Sequence, residues 1–378
     1  MKLLAVIGTR PEAVKMAPLL LALRAEPAVD LRLCLSGQHR ELIDPVLQLF
    51  GLEADVDLAL MTSGQSLNTL TGRALERLDV VLQDIGPDRV LVHGDTTTAL
   101  AAALAAFHRG IPVAHVEAGL RTYDPARPFP EEMNRRAVDL IADLLFAPTA
   151  RARRNLEAER VSGTVFVTGN SGIDALELTL RRLEADETLR AAAEAELPEL
   201  GKGRRLLLVT GHRRESFGEG LRGVCAALVE IAQRGDVEIV YPVHLNPQVK
   251  GPVEAALGGA DNIRLLPPLG YQAMVRLMQR ADLILTDSGG IQEEAPTLGK
   301  PVLVTRAATE RPEAVEAGMA RLVGTDAGAI VAAAAEVLDA GAASAGFRNG
   351  PNPYGDGKAG ERIAAALLGR PSEEFGAA

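Results

Sequence analysis

The chain alternates between short, unbroken apolar runs and longer stretches in which apolar residues recur at the spacing of a helix. Unbroken apolar runs are typical of parallel strands buried on both faces, and amphipathic stretches are typical of the helices that cover them. The clearest runs are residues 3–7, 90–92, 113–116, 165–167, 206–209, 239–243, 283–285 and 302–304. This alternation predicts an α/β fold built on parallel sheets.

The predicted strands fall into two series. The first occupies residues 1–168, and the second begins near residue 204, after a polar helical stretch at 180–197. A length of 378 residues, at roughly 150 residues per domain, is consistent with two or three domains. We therefore expect two Rossmann-like, doubly wound domains that face each other across a cleft, with the polar stretch near their junction.

Composition excludes several classes of protein. Hydrophobic residues make up 47% of the chain and charged residues 24%, which is enough apolar material for packed cores. The net charge of −10 has the wrong sign for a protein that binds nucleic acid through its phosphates. No apolar stretch approaches the roughly 20 residues of a membrane-spanning helix, so we expect no membrane partner. Cys34 and Cys225 lie far apart without a C-x-x-C pair, which favours a reducing, cytoplasmic location.

Ligands of open parallel sheets bind beyond the carboxyl ends of the strands, and in this chain those positions are polar. The first run is followed by G-T-R-P-E-A-V-K, in which Arg10 and Lys15 flank the start of a helix. Two cations beside a helix N-terminus predict an anion site. The alternative is a surface loop in which both side chains are merely solvated.

Acidic residues follow two later strands of the first series. Asp95 lies in H-G-D-T-T-T after one run, and Glu117 lies in H-V-E-A-G after the next. Either carboxylate is a candidate for acid or base chemistry, or alternatively a helix N-cap or a paired structural charge. The segment P-F-P-E-E-M-N-R-R adds Glu131 and Glu132 in the first turn of a helix, where acids also suit the helix dipole. The alternative that the acid only stabilises the start of the helix is strongest for Glu132.

The second series concentrates cations and glycines at its strand ends. His212 lies with two arginines in G-H-R-R-E, and Arg311 follows a later strand. Ser288, Gly289 and Gly290 open a helix where backbone N–H groups can approach phosphate. Glu294, one turn inside that helix, can span two hydroxyls of a ribose. Alternatively, His212 is a structural histidine and Glu294 is a solvated acid on the helix surface.

Several common cofactor motifs are missing from the sequence. There is no G-x-G-x-x-G for a dinucleotide, no G-x-x-x-x-G-K-[ST] for a triphosphate and no H-x-x-x-H metal pair. Nicotinamide chemistry and P-loop hydrolysis therefore lose support. We expect no cofactor and no metal.

Taken together, these motifs closely resemble those of the non-hydrolysing UDP-N-acetylglucosamine 2-epimerases of bacteria. The resemblance extends over nearly the whole chain. Its motifs are G-T-R-P-E-A-V-K-M-A-P at 8–18, G-Q-H-R-E at 37–41, H-G-D-T-T-T at 93–98, H-V-E-A-G-L-R-T at 115–122, P-F-P-E-E-M-N-R at 128–135, G-H-R-R-E-S-F-G at 211–218, Y-P-V-H-L-N-P at 241–247, T-D-S-G-G-I-Q-E-E-A-P at 286–296, E-R-P-E-A at 310–314 and P-Y-G-D-G at 353–357.

The resemblance implies a glycosyltransferase-B-like pair of domains. The first would comprise 1–168 plus a returning C-terminal helix at about 358–378, and the second, UDP-binding domain would comprise 169–357. It also implies a homodimer that binds UDP-N-acetylglucosamine, UDP-N-acetylmannosamine and UDP, and supplies cell-surface polysaccharide synthesis.

Site residues follow from the same resemblance. It implies acid and base chemistry at Asp95, Glu117 and Glu131, with His212 as a further catalytic residue, and it does not assign which acid is the base. It implies sugar-nucleotide contacts at Arg10, Lys15, Asp95, Glu117, His212, Ser288, Gly289, Gly290, Glu294 and Arg311. A neighbouring activating site for substrate would involve Gln38, Glu41 and His244, although Glu41 and Gly64 replace the Gln and Arg of the family pattern. Ser216, Ala307 and Ala308 also depart from that pattern.

The implied reaction removes the hydrogen at C2 of the sugar after UDP has left C1, through 2-acetamidoglucal, and then adds UDP back. The carbon at C2 is not next to a carbonyl, so loss of UDP supplies the activation that an enolate cannot. Three rivals stay open: a hydrolysing 2-epimerase that releases N-acetylmannosamine and UDP, a retaining glycosyltransferase of the same fold, and a UDP-sugar sensor without catalysis.

Overall fold

The computed structural model describes residues 1–37, 40–62, 64–201, 203–211, 213 and 217–376. The chain divides into two compact units. The first unit comprises Met1–Ala175 and Tyr354–Ala378, and the second comprises Leu176–Pro353. Each unit contains one parallel sheet with helices packed on it, so the predicted glycosyltransferase-B-like fold class of two Rossmann-like, doubly wound α/β domains is confirmed.

The first unit is built on a seven-stranded parallel sheet. Its strands are β1 (Lys2–Ile7), β2 (Asp30–Leu35), β3 (Val56–Asp57), β4 (Arg89–His93), β5 (Val113–Val116), β6 (Leu144–Ala147) and β7 (Thr164–Val167). They lie in the order β3-β2-β1-β4-β5-β6-β7. The direction of winding reverses between β1 and β4, and such a reversal leaves a crevice at the carboxyl ends of the two strands.

Seven helices of the described chain follow these strands. They are α1 (Arg10–Arg24), α2 (Arg40–Phe50), α3 (Leu67–Ile85), α4 (Thr97–His108), α5 (Glu131–Ile141), α6 (Ala150–Glu159) and α7 (Ser171–Ala185), and the division between the units falls inside α7. Three of them begin at a hydroxyl side chain, because Ser66, Thr96 and Thr149 each accept a hydrogen bond from a backbone N–H in the first turn.

The second unit is built on a six-stranded parallel sheet. Its strands are β8 (Arg205–Thr210), β9 (Val237–Pro242), β10 (Ile263–Leu266), β11 (Leu283–Thr286), β12 (Val302–Val304) and β13 (Ala320–Leu322). The order β10-β9-β8-β11-β12-β13 reverses between β8 and β11. The accompanying helices are α8 (Glu187–Ala195), α9 (Glu219–Ala232), α10 (Pro247–Leu257), α11 (Tyr271–Arg280), α12 (Gly289–Glu294), α13 (Pro312–Glu316) and α14 (Ala327–Ala340), with a 3-10 helix at Ala295–Leu298.

The last helix, α15 (Ala359–Leu367), belongs to the first unit and packs on α1. A Cβ atom on Gly360 would lie 3.0 Å from the backbone nitrogen of Leu19, so a larger residue would push the two helices apart by a few tenths of an ångström. The backbone N–H of Gly360 also donates to Asp174, at 2.8 Å. The C-terminal segment is thereby held against the start of the chain.

Each sheet has its own apolar core. Leu4, Val6, Val90 and Val92 are completely buried in the first unit, as the unbroken apolar runs predict. In the second unit the core is formed around residues such as Leu207. In the described part of the chain no helix has the length and apolar character needed to cross a membrane.

Candidate active site

The reversal point of the first sheet brings together residues from α1 and from the ends of β4 and β5. Glu117 immediately follows β5, and its carboxylate forms an ion pair with the Lys15 ammonium from α1. Both side chains are nearly buried, with 10% and 12% of their surface exposed. Glu117 has a φ angle of +67°, a conformation that is strained for a residue with a side chain. The fold therefore holds the Glu117 carboxylate in place at the cost of local backbone strain.

Asp95 is held by two residues of α5. Its carboxylate accepts from Nε of Arg135 at 3.0 Å, and its backbone carbonyl accepts from the side-chain amide of Asn134 at 2.9 Å. The N-cap of α4 is Thr96, which accepts from the backbone N–H of Ala99 at 3.0 Å. The interpretation of Asp95 as a helix cap is therefore wrong. Its carboxylate is paired with Arg135, a partner that sequence reasoning missed.

Glu131 and Glu132 have different surroundings at the start of α5. Glu132 is completely buried and accepts backbone N–H groups from Thr122 at 3.0 Å and Tyr123 at 2.9 Å. It therefore fixes the preceding loop, as a structural acid. In Glu131 the Oε2 atom is buried and has no hydrogen-bond partner within the described residues. An unpartnered buried carboxylate oxygen is costly unless a ligand or a proton completes it.

His93, at the end of β4, is a second residue that sequence reasoning missed. It is 3% exposed, and across the described ranges neither ring nitrogen has a hydrogen-bond partner. Its Nε2 atom lies 3.9 Å from Oε2 of Glu117. Burial lowers the pKa of His93 to about 4, so the imidazole beside Glu117 is neutral at physiological pH.

Glu12 is a buried carboxyl group at the same place, in the first turn of α1. It accepts from the backbone N–H of Gly8 at 3.0 Å and from the hydroxyl of Thr96 at 2.8 Å. Burial raises the pKa of Glu12 to about 7. The predicted anion-binding turn is thus tied to the start of α4 by a group that titrates near neutral pH.

Substitution Glu12→Gln tests this assignment through stability. The pKa of Glu12 rises on folding, so the folded chain binds more protons than the unfolded chain, and stability is lost as pH increases through about 7. Glutamine cannot ionise, so the free energy of unfolding of the variant relative to wild type should increase by roughly 3 kcal/mol between about pH 5 and pH 8. Thermal unfolding of both chains across this range measures the difference. A difference that is constant with pH would mean that Glu12 does not titrate there.

The reversal point of the second sheet lies at the ends of β8 and β11. The backbone N–H of Arg213 donates to Asp287 at 2.9 Å, and the backbone N–H of Ser288 donates to the hydroxyl of Thr286 at 2.9 Å. A small cavity of about 20 Å³ lies beside Arg213 and Asp287 and is otherwise lined mainly by apolar side chains such as Phe217. Ser288 is the N-cap residue of α12, but its side chain makes no capping hydrogen bond.

Arginines converge next to this turn. The Nε atom of Arg311 donates to Glu293 at 2.5 Å, and its Nη1 atom pairs with Glu310. Glu310 also pairs with Arg306 at 2.7 Å and lies 3.6 Å from Nη2 of Arg213. Burial opposes ionisation of Glu310, but the three arginines hold its pKa well below the usual range. The Arg311 guanidinium, predicted as an anion ligand, is therefore oriented by two carboxylates.

Glu294 is nearly buried, and the phenol of Tyr271 donates to its Oε1 atom at 3.1 Å. Burial, together with the Glu294 charge, raises the pKa of Tyr271, so the phenol remains a donor. The interpretation of Glu294 as a solvated helix acid is therefore wrong.

The remaining candidates are placed as follows. Arg10 is the first residue of α1, and Gly290 is the second residue of α12. His244 is exposed after β9, and its Nδ1 atom accepts from the backbone N–H of Asn246 at 3.1 Å. His212, Gln38 and the side chain of Glu41 lie outside the described residues. Over the residues that are described, no group of three or more His, Cys, Asp or Glu side chains is arranged to hold a metal ion.

Comparison with known proteins agrees with the resemblance seen in the motifs. A sequence model of the family described as UDP-N-acetylglucosamine 2-epimerase matches residues 21–368. A Salmonella typhimurium protein named UDP-N-acetylglucosamine 2-epimerase is 52% identical over 97% of this chain and 98% of its own length. The structure of a Neisseria meningitidis UDP-GlcNAc 2-epimerase bound to UDP-GlcNAc is 45% identical, with a TM-score of 0.93 over 98% of this chain and 100% of that one. This chain therefore belongs to the UDP-N-acetylglucosamine 2-epimerase family.

Proposed function

We propose that this protein interconverts UDP-N-acetylglucosamine and UDP-N-acetylmannosamine by inverting C2 of the sugar without net loss of UDP. The observation that carries the proposal is that Asp95 and Glu117 follow the adjacent strands β4 and β5, while α5, which begins at Glu131, contacts Asp95 through Arg135, in a chain half identical to named 2-epimerases. Carboxylates at such a point can take up and return a proton.

Two contacts support the convergence of these three acids. A Cβ atom on Gly94 would lie 3.7 Å from Oε1 of Glu117, so the turn that carries Asp95 adjoins the Glu117 carboxylate. Arg135 reaches Asp95 from α5, and Glu131 precedes Arg135 by four residues, which places both on one face of that helix. These contacts support the proposal that the three carboxylates act on one substrate.

In the proposed reaction the bond between C1 and the UDP oxygen breaks first, and UDP leaves with the electron pair. The resulting positive charge at C1 makes the C2 hydrogen acidic, and a carboxylate removes it to give 2-acetamidoglucal. A proton then returns to C2 from the opposite face, and UDP adds again to C1. We propose that Asp95, Glu117 and Glu131 share the proton transfers, assisted by His212.

We propose that cations and backbone N–H groups bind the departing diphosphate. The candidates are Arg10, Lys15, His212, Ser288, Gly289, Gly290 and Arg311, with Glu294 on the ribose. Stabilisation of a developing anion by fixed donors is often the largest contribution to catalysis. Solved structures of relatives contain UDP-GlcNAc, and in the Methanocaldococcus jannaschii protein UDP-GlcNAc and UDP. They support UDP-GlcNAc and UDP as the molecules that this protein binds.

Retention of the glucal and UDP until re-addition distinguishes this proposal from a hydrolysing epimerase. It requires that water be kept from the intermediate, and the burial of Lys15, His93 and Glu117 supports such exclusion. We further propose that the protein acts as a cytoplasmic homodimer and supplies cell-surface polysaccharide synthesis.

Proton NMR of the purified protein with UDP-N-acetylglucosamine in D₂O tests the proposal. We expect UDP-N-acetylmannosamine to appear with deuterium at C2 and with little free UDP. Free N-acetylmannosamine with an equal amount of UDP would instead identify a hydrolysing enzyme. Absence of C2 exchange in folded protein that binds UDP would contradict epimerisation and favour a transferase or a sensor. A sample without protein corrects for spontaneous hydrolysis.

A further inference from the structure

His115 lies in β5 and is completely buried, and both of its ring nitrogens make short hydrogen bonds. Nδ1 lies 2.7 Å from Oδ1 of Asp139, and Nε2 lies 2.7 Å from the carbonyl oxygen of Gly94. Oδ2 of Asp139 accepts from Arg121 at 2.7 Å and from the backbone N–H of Gly119 at 3.2 Å, as an ionised carboxylate does. Both ring nitrogens of His115 are therefore engaged by oxygen atoms, one on a side chain of α5 and one on the backbone of the turn after β4.

Asp139, the partner of His115, belongs to a chain of alternating charges. Asp139 pairs with Arg121, and Arg121 makes two further hydrogen bonds to Glu159, at 2.9 and 2.8 Å. Glu159 is partly exposed, so the chain runs from the protein interior towards the surface. Burying such groups is costly unless each is paired, and pairs of this kind often serve to fix one conformation.

The hydrogen bonds of His115 and Asp139 reach the two segments that carry Asp95 and Glu117. Gly94, whose carbonyl accepts from His115, directly precedes Asp95, and its own N–H donates to the Val116 carbonyl at 2.9 Å. Gly119, whose N–H donates to Asp139, lies two residues after Glu117. The His115 and Asp139 pair therefore contacts both segments directly.

The same pair also connects α5 to the Asp95 turn. Asp139 follows Arg135 by four residues, and Arg135 follows Glu131 by four, so all three lie on one face of α5. Arg135 contacts the Asp95 carboxylate, and Asp139 reaches the Gly94 carbonyl through His115. The helix that carries Glu131 is thus connected to the Asp95 turn at two points, through Arg135 and through Asp139 with His115.

We propose that His115, held by Asp139, is a positioning residue that fixes Asp95 and Glu117 relative to Glu131 through the Gly94 carbonyl. The proposal rests on the proposed epimerase function for its kinetic consequence. Its structural consequence is independent of that function, because the hydrogen bond to Gly94 holds the turn whether or not the chain epimerises this substrate.

The two amide substitutions of His115 separate the two contacts. In His115→Gln the side-chain amide nitrogen reaches the position of Nε2 and keeps a donor to Gly94. In His115→Asn it reaches the position of Nδ1 and keeps a donor only to Asp139. We expect His115→Asn to lower kcat by about 10²-fold with KM and UDP affinity nearly unchanged, and His115→Gln to retain at least about tenfold more kcat than His115→Asn.

A purely structural role predicts a different result. Each variant loses one buried hydrogen bond, so both would lose thermal stability and kcat to the same degree. Glu238→Gln serves as the matched control, because Glu238 is a buried carboxylate of the second unit that is paired with Arg204 and Arg264. We expect it to lower the thermal midpoint with kcat retained. Equal kcat in the two His115 variants, or wild-type kcat in His115→Asn, overturns the proposal.

Amide hydrogen exchange keeps the test independent of activity. In peptides that cover 93–98 and 117–121, exchange should be faster in His115→Asn than in wild type and nearly unchanged in His115→Gln. If wild type does not exchange C2 hydrogen, the epimerase proposal fails while the exchange rates still decide the positioning role. Should His115→Asn not fold, Asp139→Asn replaces it. In that variant faster exchange and lower kcat are expected, and wild-type exchange in these peptides overturns the proposal.

Discussion

Substitution of Asp95 by Asn, of Glu117 by Gln or of Glu131 by Gln should each lower turnover of UDP-N-acetylglucosamine by at least about 10²-fold. Each amide keeps the size of the side chain but cannot take up the proton. Glu131→Gln is the cleanest of the three, since its Oε2 atom has no hydrogen-bond partner in the described chain and the change breaks no ion pair there. Affinity for UDP should stay within about tenfold, because the charge-assisted contacts to phosphate remain.

Turnover and C2 deuterium exchange should be measured together in these variants, with UDP affinity determined by calorimetry. Glu238→Gln is the control for loss of a buried carboxylate away from the first sheet, and it should keep wild-type turnover. Wild-type turnover in any one variant would remove that residue from acid and base chemistry. Wild-type turnover in all three variants would contradict the proposed mechanism.

The strands and the positions of Asp95 and Glu117 were predictable because both follow from local pattern. Strands buried on both faces must be apolar along their length, and polar residues directly after them lie at the ligand-binding edge of a parallel sheet. The partners of these acids were not predictable. Lys15 lies 102 residues from Glu117, and Arg135 lies 40 residues from Asp95. Spacing along the chain carries no information about such pairs until the strand order is known.

His93 and His115 escaped sequence reasoning for a different reason. His115 lies inside the predicted strand at 113–116, and His93 directly follows the run at 90–92, where attention went to the acid two residues later. A histidine in a strand buried on both faces is itself a signal, since its ring nitrogens must find partners in the interior. For His115 those partners are Asp139 and Gly94, and for His93 none lies among the described residues.

Substitution Gly289→Ala should destabilise the second unit and weaken UDP binding. A Cβ atom at this position would lie 2.5 Å from Cζ of Arg311, so the guanidinium must move. Its displacement would weaken the ion pairs of Arg311 with Glu293 and Glu310, and a buried ion pair that is broken completely costs roughly 3–5 kcal/mol. If Arg311 also contacts phosphate, UDP affinity should fall by about 10- to 100-fold.

The neighbouring Gly290→Ala variant controls for the added methyl group. Among the described residues, a Cβ atom on Gly290 would meet only the Ser288 hydroxyl, at 4.0 Å, so this part of the fold accommodates it. Alanine also favours the helix by up to about 1 kcal/mol, so the thermal midpoint of Gly290→Ala should equal or exceed that of wild type. Thermal unfolding and UDP calorimetry of both variants complete the test. If the two midpoints are the same, Arg311 is not locked against the Gly289 backbone, and its ion pairs with Glu293 and Glu310 tolerate a shifted guanidinium.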